Sequence, residues 1–482
     1  MVKYGLNLLT ILLCLTCFGQ QNRKVTLEEL IGLVQTQSIK FRVAVNQREM
    51  SIEQFRSFRS ELKPQISLYG DAPVYQKEFY GVRQPDGTIK YQMISQNTAN
   101  IGFSLSQVLP FSGGTLSLNT DLSRYDDFKS NLRQYSGTPV FVRYAQPVFA
   151  MNPWKWKKKI EPLKLDESKK QYQFELEDLA LQTVNYYYNV LDAQNDIEIA
   201  LANLNFARQN YEIEKKRIKL GTTSEDKILQ LELQSLRSEQ DLEKARYALQ
   251  VALLQLASYT GGSVGESWIF ENRDSIPELS LDISKAQEMA RENRPEYIGF
   301  QRKKLEMEMD IQVAKNYQRE VSLVASYGLN GIGNGINNVY QNPNDQQRFS
   351  IGFQVPLVDW GRRRSKYAIA KANQKLAQSN QEFQESEITQ RITTLVNNLS
   401  LLKRNVMVAR RADSVAQRRF QISLQLYQLG KLSLTELSLA QTEKDQARRE
   451  ILSAQRSFWE AYYQLRKETL FDFSTNTNLG KN

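Results

Sequence analysis

The 482-residue sequence contains no histidine, and that absence removes every histidine-dependent triad and general base at once. Only two cysteines occur, Cys14 and Cys17, and both fall inside an N-terminal apolar stretch. If that stretch is removed, neither a thiolate nucleophile nor a thiolate metal ligand remains. No segment offers eighteen consecutive apolar residues, so a helix spanning a bilayer is not expected and any membrane crossing falls to strands. Proline and glycine are missing from Glu175 to Lys219, and again from Gln384 to Gln428. With neither helix breaker present, each of these stretches can run as one uninterrupted helix.

What is present begins with a secretory signal: Lys3, an apolar run from Leu6 to Phe18, and small Gly19, with residues 1–20 expected to be cleaved. Cys17 follows Leu15-Thr16, a poor context for acylation. Lys3 is the only charge in the signal, so the printed +10 falls to about +9, from 62 bases against 53 acids. The bases are interleaved with Glu and Asp along helical faces, a pattern of solvated surfaces, and no nucleic-acid partner is expected.

The chain is written twice. A shift of 209 positions lays Pro147 on Pro356, Phe174 on Phe383, Tyr211 on Phe420, and Leu220-Gly221 on Leu429-Gly430. A repeat of this kind marks structural units that lean on one another. In the first copy Leu176, Leu179, Thr183, Tyr186, Val190, Ala193, Ile197, Ala200, Leu204, Ala207 and Tyr211 keep a 3,4 spacing, a coiled-coil seam. Ile388, Ile392, Leu395, Leu399, Leu402, Val406, Ala409, Ala416 and Phe420 reproduce it, with only Asp413 charged inside the run. A weaker neighbouring seam passes through Ala180, Val184, Tyr187, Leu191 and Leu201, so the helix is expected to have neighbours on two flanks.

A helix from Trp154 to Leu220 would be roughly 100 Å long. Each rod ends at Leu-Gly, and a returning helix is expected from Ser224 to Tyr259 and from Ser433 to Leu470. Gly221 and Gly430 suit the left-handed position past a helix end, and Ser224 and Ser433 suit helix caps. Asn152-Pro153 and Asp359 sit where each rod begins. Shorter helical pairs are expected over Leu27 to Glu61 and Ile283 to Arg319.

Strands precede each rod. Ile101 to Leu105, Leu116 to Leu122 and Phe349 to Val355 alternate large apolar with small or polar residues, which suits either a barrel in lipid or a half-buried soluble sheet. An extra hairpin, Leu109 to Gly114 followed by Thr115 to Tyr125, occurs only in the first copy and is open to two readings, barrel strands or a surface excursion. Gly331-Ile-Gly-Asn-Gly335 is read as a loop at a strand top, with no helix opening after it and no phosphate site. Tyr186 to Tyr188 with Trp459, Tyr462 and Tyr463 are read as packing. No catalytic residue, cofactor or metal site is expected. The organisation expected is a signal over 1–20, a first repeat over 21–262, a linker over 263–281, a second repeat over 282–471 and a loose tail over 472–482.

This pattern resembles the TolC-like outer-membrane efflux family, the outer membrane factors. The pieces carrying the resemblance are Thr26-Leu-Glu-Glu-Leu30, Gln146-Pro-Val-Phe149, Gln354-Val-Pro-Leu-Val-Asp-Trp-Gly361, and the Leu-Gly turns with serine three positions on. It implies a mixed, mainly α fold: a two-fold repeat of long antiparallel helical hairpins forming an α-barrel, joined to a transmembrane β-barrel shared between protomers of a homotrimer. It further implies a passive export duct in a tripartite efflux or type I secretion system, with a periplasmic adaptor, an inner-membrane pump of RND or ABC type and outer-membrane lipid as partners. Gly221, Ser224, Gly430 and Ser433 would form the periplasmic tip that meets the adaptor. Tyr427 would be a gate aromatic, and Glu436 and Asp226 constriction acids. Leu432 and Leu439 stand where the family's pattern has a gating arginine and a second acid. The competing reading from the residues alone is a soluble periplasmic coiled-coil scaffold.

Overall fold

The computed structural model describes residues 23–262, 268–272, 275–317 and 320–481; the signal and both cysteines lie outside them. In chain order the elements are β1 Arg23–Val25, α1 Leu27–Gln37, α2 Ile39–Glu61, β2 Gln65–Arg83, β3 Ile89–Leu109, β4 Gly114–Asp127, β5 Leu132–Pro147, α3 Pro153–Lys219 and α4 Glu225–Thr260. They continue with β6 Trp268–Phe270, α5 Ile283–Asn293, α6 Pro295–Lys315, β7 Glu320–Gly333, α7 Ile336–Gln341, β8 Asn344–Gln354, α8 Arg362–Gln428, α9 Leu434–Thr469, β9 Phe471–Asp472 and β10 Thr477–Asn478. Both rods, α3 and α8, are 67 residues long, and each returning helix, α4 and α9, is 36. The chain packs as two units. Among the described residues, one holds 23–48, 168–297 and 385–481; the other holds 49–167 and 298–384.

In the first unit the seams read from the sequence are buried. Leu179, Thr183, Val190, Ala193, Ala200, Leu204 and Ala207 of α3, and Ile388, Ile392, Leu399 and Val406 of α8, have almost no exposed surface. The second seam is buried through Ala180, Val184, Tyr187 and Leu191, whereas Leu201 faces outward. Polar contacts fix the lateral order α4, α3, α9, α8. Tyr259 donates to the Leu179 carbonyl (3.1 Å), Asn203 donates to Asp445 (2.6 Å), and Arg391 pairs with Glu468 (3.3 Å). The aromatic residues Tyr187, Tyr188, Trp459, Tyr462 and Tyr463 lie in the main core, as the packing reading expected. Asp413 is buried, and Gln417 donates to it at 3.1 Å.

Two segments depart from expectation. Within the linker 263–281, β6 pairs in parallel with β1. The Tyr187 hydroxyl donates to the carbonyls of Val25 and Glu271, tying that pair to α3. The tail expected to be loose from Asp472 instead folds back as the β9–β10 hairpin, with Phe471 and Phe473 buried and stacked edge-on. Tyr462 donates to Asp472 at 2.6 Å, and Arg466 pairs with Asp472 at 3.2 Å and with Glu177 at 3.1 Å. Leaving that arginine and two carboxylates buried without each other would be costly, so the short tail is held.

The second unit carries a six-stranded antiparallel sheet in the order β2-β3-β4-β5-β7-β8. The extra hairpin therefore joins the sheet, supplying β3 and β4 with continuous pairing from Gln96↔Asp127 to Leu109↔Gly114. Cross-strand partners share a face, so the register sorts the side chains. Ile66, Leu68, Ile101, Phe103, Leu105, Leu116, Leu118, Val142, Tyr144, Leu323, Phe349, Ile351 and Phe353 form one face. The other carries Ser104, Ser106, Ser117, Asn119, Asp121, Arg143 and Gln346, which line one open polar concavity. The apolar face is largely exposed, with Phe353 79% accessible.

One sequence reading is corrected here. A six-residue helix, α7, does open at Ile336, immediately after Gly331-Ile-Gly-Asn-Gly335. It seats Val339 against β5 and β7, and a Cβ on Gly331 would lie 2.1 Å from the Val339 carbonyl oxygen. The glycines make room for this close approach of backbones and cradle no phosphate.

Candidate functional site

The helix-stop and cap signals place the α3–α4 and α8–α9 turns as expected, and in the first unit they lie against one apolar cluster. Gly221 (φ 67°) and Gly430 (φ 70°) occupy the left-handed region. The next amide closes each helix end: Thr222 N–H donates to the Arg217 carbonyl (3.1 Å) and Lys431 N–H to the Leu426 carbonyl (2.8 Å). This is the Schellman arrangement, in which glycine avoids the steric cost a Cβ would bring. Ser224 and Ser433 are the helix caps, but only Ser433 makes side-chain cap bonds. Leu231 of α4 packs with Tyr427, Leu434 and Leu437 of the second turn, and Leu432, at the position expected for an arginine, joins that cluster.

Tyr427 is 4% exposed. Its hydroxyl donates to Glu214 Oε1 at 3.0 Å, and Arg217 donates to the same oxygen at 2.7 Å while its guanidinium lies 5.5 Å from the Tyr427 ring centre. Burial works to raise the Glu214 carboxyl, but the nearby Thr223 hydroxyl and hydrogen bonds from Arg217 and Tyr427, with the Arg217 charge, outweigh it and hold the group below the ordinary glutamate range. Burial first, then the carboxylate it serves, pushes the Tyr427 hydroxyl up to about 12. A phenol donating to a buried carboxylate already held by a guanidinium ties α8 to α3, residues 213 apart in sequence. The expectation named Tyr427 but missed Glu214 and Arg217. The one available signal was their i,i+3 spacing on the last turns of α3.

Glu436 is exposed and closes a capping box. It accepts from the Ser433 amide (3.0 Å) and hydroxyl (2.7 Å), while its own amide donates to Ser433 Oγ (3.2 Å). These bonds lower its pKa, so it is ionised at neutral pH. Asp226 lies exposed in the first turn of α4, where its charge complements the helix dipole. Leu439 is exposed. No cluster of carboxylates, histidines or cysteines able to hold a metal is present among the described residues. No described helix is long and apolar enough to cross a membrane.

Known proteins match this arrangement along nearly the full chain. The crystal structure of the Campylobacter jejuni CmeC outer membrane channel superposes with a TM-score of 0.67 at 13% identity, over 95% of this chain and 87% of that one. VceC, an outer membrane protein of Vibrio cholerae, gives 0.64 at 14%, over 93% and 96%. The open state of the Neisseria gonorrhoeae MtrE outer membrane channel gives 0.63 at 14%, over 92% and 88%. No match is found among curated proteins. The family model described as outer membrane efflux protein matches residues 92–262 and 301–469, well over half of the sequence and both copies of the repeat. The chain belongs to the outer membrane efflux protein family and is an efflux channel of the outer membrane that extends into the periplasm.

Proposed function

We propose that this protein is a passive duct of a tripartite system, working as a homotrimer that receives cargo from an inner-membrane pump through a periplasmic adaptor and performs no chemistry of its own. The observation that carries the reading is the six-stranded sheet, apolar on one face and polar on the other, whose edge strands β2 and β8 have no partner on their outer sides among the described residues. Exposed edges of this length invite pairing with another chain. Because six antiparallel strands are an even number, β8 of one copy meets β2 of the next antiparallel, and three copies give three times six, or 18, strands. A barrel of about that size leaves an aqueous channel. The helical layer supports the same assembly. Its two flanking helices carry exposed apolar rows, Leu229, Leu233 and Leu236 on α4 and Leu401, Val408, Val415 and Ile422 on α8. The seven-residue steps along these rows, from Leu229 to Leu236 and from Leu401 through Val408 and Val415 to Ile422, are those of a coiled-coil partner surface.

The turns at Gly221, Ser224, Gly430 and Ser433 are the proposed adaptor-facing tip, and the Tyr427–Glu214–Arg217 link is the proposed latch that holds it closed. Glu436 and Asp226 would place carboxylates near the opening, where rings of acids favour cations. Fractionation tests the assembly: a detergent-stable trimer in the outer-membrane fraction is expected, and recovery as a soluble monomer would favour the scaffold reading instead.

Planar-bilayer conductance tests the latch. A hydrogen bond to a charged group contributes about 1.5–3 kcal/mol, so Tyr427→Phe is expected to raise the open fraction by about tenfold or more. Adding Glu214→Ala should change it little further, since both remove the same link. Because the folded Glu214 carboxyl is held below its ordinary pKa, the link's contribution is present above the ordinary glutamate range and is lost as pH falls through the lowered folded value. Wild-type conductance should therefore be flat from about pH 7 down to the ordinary glutamate pKa. A rise near neutrality would show that another group holds the closed state.

A further inference from the structure

The end of the sheet where chain passes to helix carries a second feature. Phe111 in the β3–β4 turn, Phe149 after β5, and Leu357, Val358 and Trp360 after β8 are all strongly exposed. Leu357 is 98% accessible and Trp360 95%. These residues continue the apolar face of the sheet: Phe349, Ile351 and Phe353 of β8 lead through Val355 to Leu357 along the chain. Asn152 ties the parts together, donating to the Pro110 carbonyl (2.8 Å) while its Oδ1 accepts from the Trp154 and Lys155 amides at the start of α3. Asp359 caps the next helix, accepting from the Gly361 (3.0 Å) and Arg363 (3.2 Å) amides.

Trp360 itself has φ 50°, a left-handed conformation that costs an L residue with a bulky side chain roughly 1–2 kcal/mol. With 95% of its surface accessible, the ring has no packing within the chain to offset this. Strain holding a solvated tryptophan points to a partner outside the chain.

Basic residues lie immediately on the helical side of this apolar collar. Lys155, Lys157, Lys158 and Lys159 occur with no acid between Met151 and Ile160, and Arg362, Arg363, Arg364 and Lys366 with none between Trp360 and Gln381. Lys157 pairs with Glu61 at 3.3 Å. Lys159 lies over the Trp156 ring and Lys366 over the Tyr317 ring. Lys155, Lys158, Arg362 and Arg364 are exposed, and no described acid pairs with them. Tryptophan at the boundary with basic side chains one step further out is the arrangement of a membrane interface, and the positive charge selects its sign.

We propose that this collar binds anionic phospholipid, with Phe111, Phe149, Leu357 and Trp360 at the acyl boundary and the lysine and arginine clusters on head-group phosphates of the periplasm-facing leaflet. The proposal rests on the outer-membrane location of the sheet. The test uses the full-length protein purified in detergent and titrated with phosphatidylglycerol or phosphatidylcholine, with bound lipid counted by native mass spectrometry. Wild type is expected to retain phosphatidylglycerol in preference. The variant Lys155→Gln/Lys158→Gln/Arg362→Gln/Arg364→Gln should lose at least about tenfold of that preference. A control variant neutralising Arg237, Lys244, Arg246 and Arg411 on the long helices should keep it.

Equal binding of the two lipids by wild type would overturn the proposal, as would a collar variant that keeps the preference or a control that loses it equally. Failure of the outer-membrane reading would show differently, as protein in the soluble fraction. Failure of this proposal appears as indifferent lipid binding by a protein that still inserts.

Discussion

Replacing Glu468 with alanine is expected to destabilise the helical unit by about 3–5 kcal/mol, the cost of leaving a buried charge without its partner. Glu468 is almost wholly buried near the end of α9 and accepts from Arg294, itself 3% exposed, as well as from Arg391 (3.3 Å) and Gln464 (2.9 Å). Arg294 follows α5, and its neighbour Asn293 donates to the Thr469 carbonyl at 3.1 Å. This ion pair therefore fastens the short helices of the second repeat to the end of its hairpin. Removing the carboxylate leaves the guanidinium with Glu296 as its one remaining acid among the described residues, beside the Phe174 ring. The double variant Arg294→Met/Glu468→Leu should recover much of the loss, since it removes both charges and fills the space. Thermal unfolding of detergent-solubilised protein checks both: a large drop in the midpoint for the single variant and a smaller one for the double. Equal drops would mean that packing volume, not the stranded charge, sets the cost.

A lysine at Phe103 is expected to prevent accumulation of the assembled channel, whereas one at Ser104 should not. Phe103 stands on the apolar face between Leu68 and Thr120, its paired residues on the flanking strands. A basic side chain in mid-bilayer costs about 2–4 kcal/mol per copy, and every copy in the ring would bear it. Ser104 is its neighbour on β3 but lies on the polar face, where its hydroxyl donates to Asn119 at 2.6 Å; a lysine there enters water. The yield of detergent-stable oligomer in the outer-membrane fraction separates the two. Similar yields would mean that the apolar face does not meet lipid.

The long elements were legible because their signals are local. Seam spacing and the absence of proline and glycine marked the C-terminal two-thirds of α3 and α8, Asn152-Pro153 and Asp359 marked their starts and the Leu-Gly pairs their stops, and Pro162 is carried inside α3 without ending it. Pro162 lies in the first turns, upstream of the proline-free stretch, and the helix continues on its remaining backbone bonds. Asn152, Asp359 and Ser433 cap helices as their positions suggested, since a cap needs only its own next few amides.

What was not legible depends on partners distant in sequence. Glu214 meets Tyr427 across 213 residues and Arg466 meets Glu177 across 289, so nothing local marks Glu177, and Glu214 is marked only by its arginine three positions on. Pairing of β6 with β1 joins the linker to the start of the first repeat, with nearly all of that repeat between them, and its three-residue strands carry no detectable alternation. The tail looked loose because its polar composition hides one buried phenylalanine, Phe473, and a carboxylate held by Tyr462, Ser474 and Arg466. The extra hairpin was ambiguous because alternation alone suits either barrel strands or a surface excursion; only register showed that it joins the sheet.

The apolar face of the sheet as a surface in lipid is the claim on which the channel depends, and cysteine scanning along β3 tests it most directly. The sequence beyond residue 20 has no cysteine, so a single introduced thiol reports alone. Thiols at Ile101, Phe103 and Leu105 are expected to react with a bilayer-restricted reagent and resist a charged aqueous one, and thiols at Ser104 and Ser106 to do the reverse. Uniform reaction of all five with the aqueous reagent would contradict the membrane-spanning barrel.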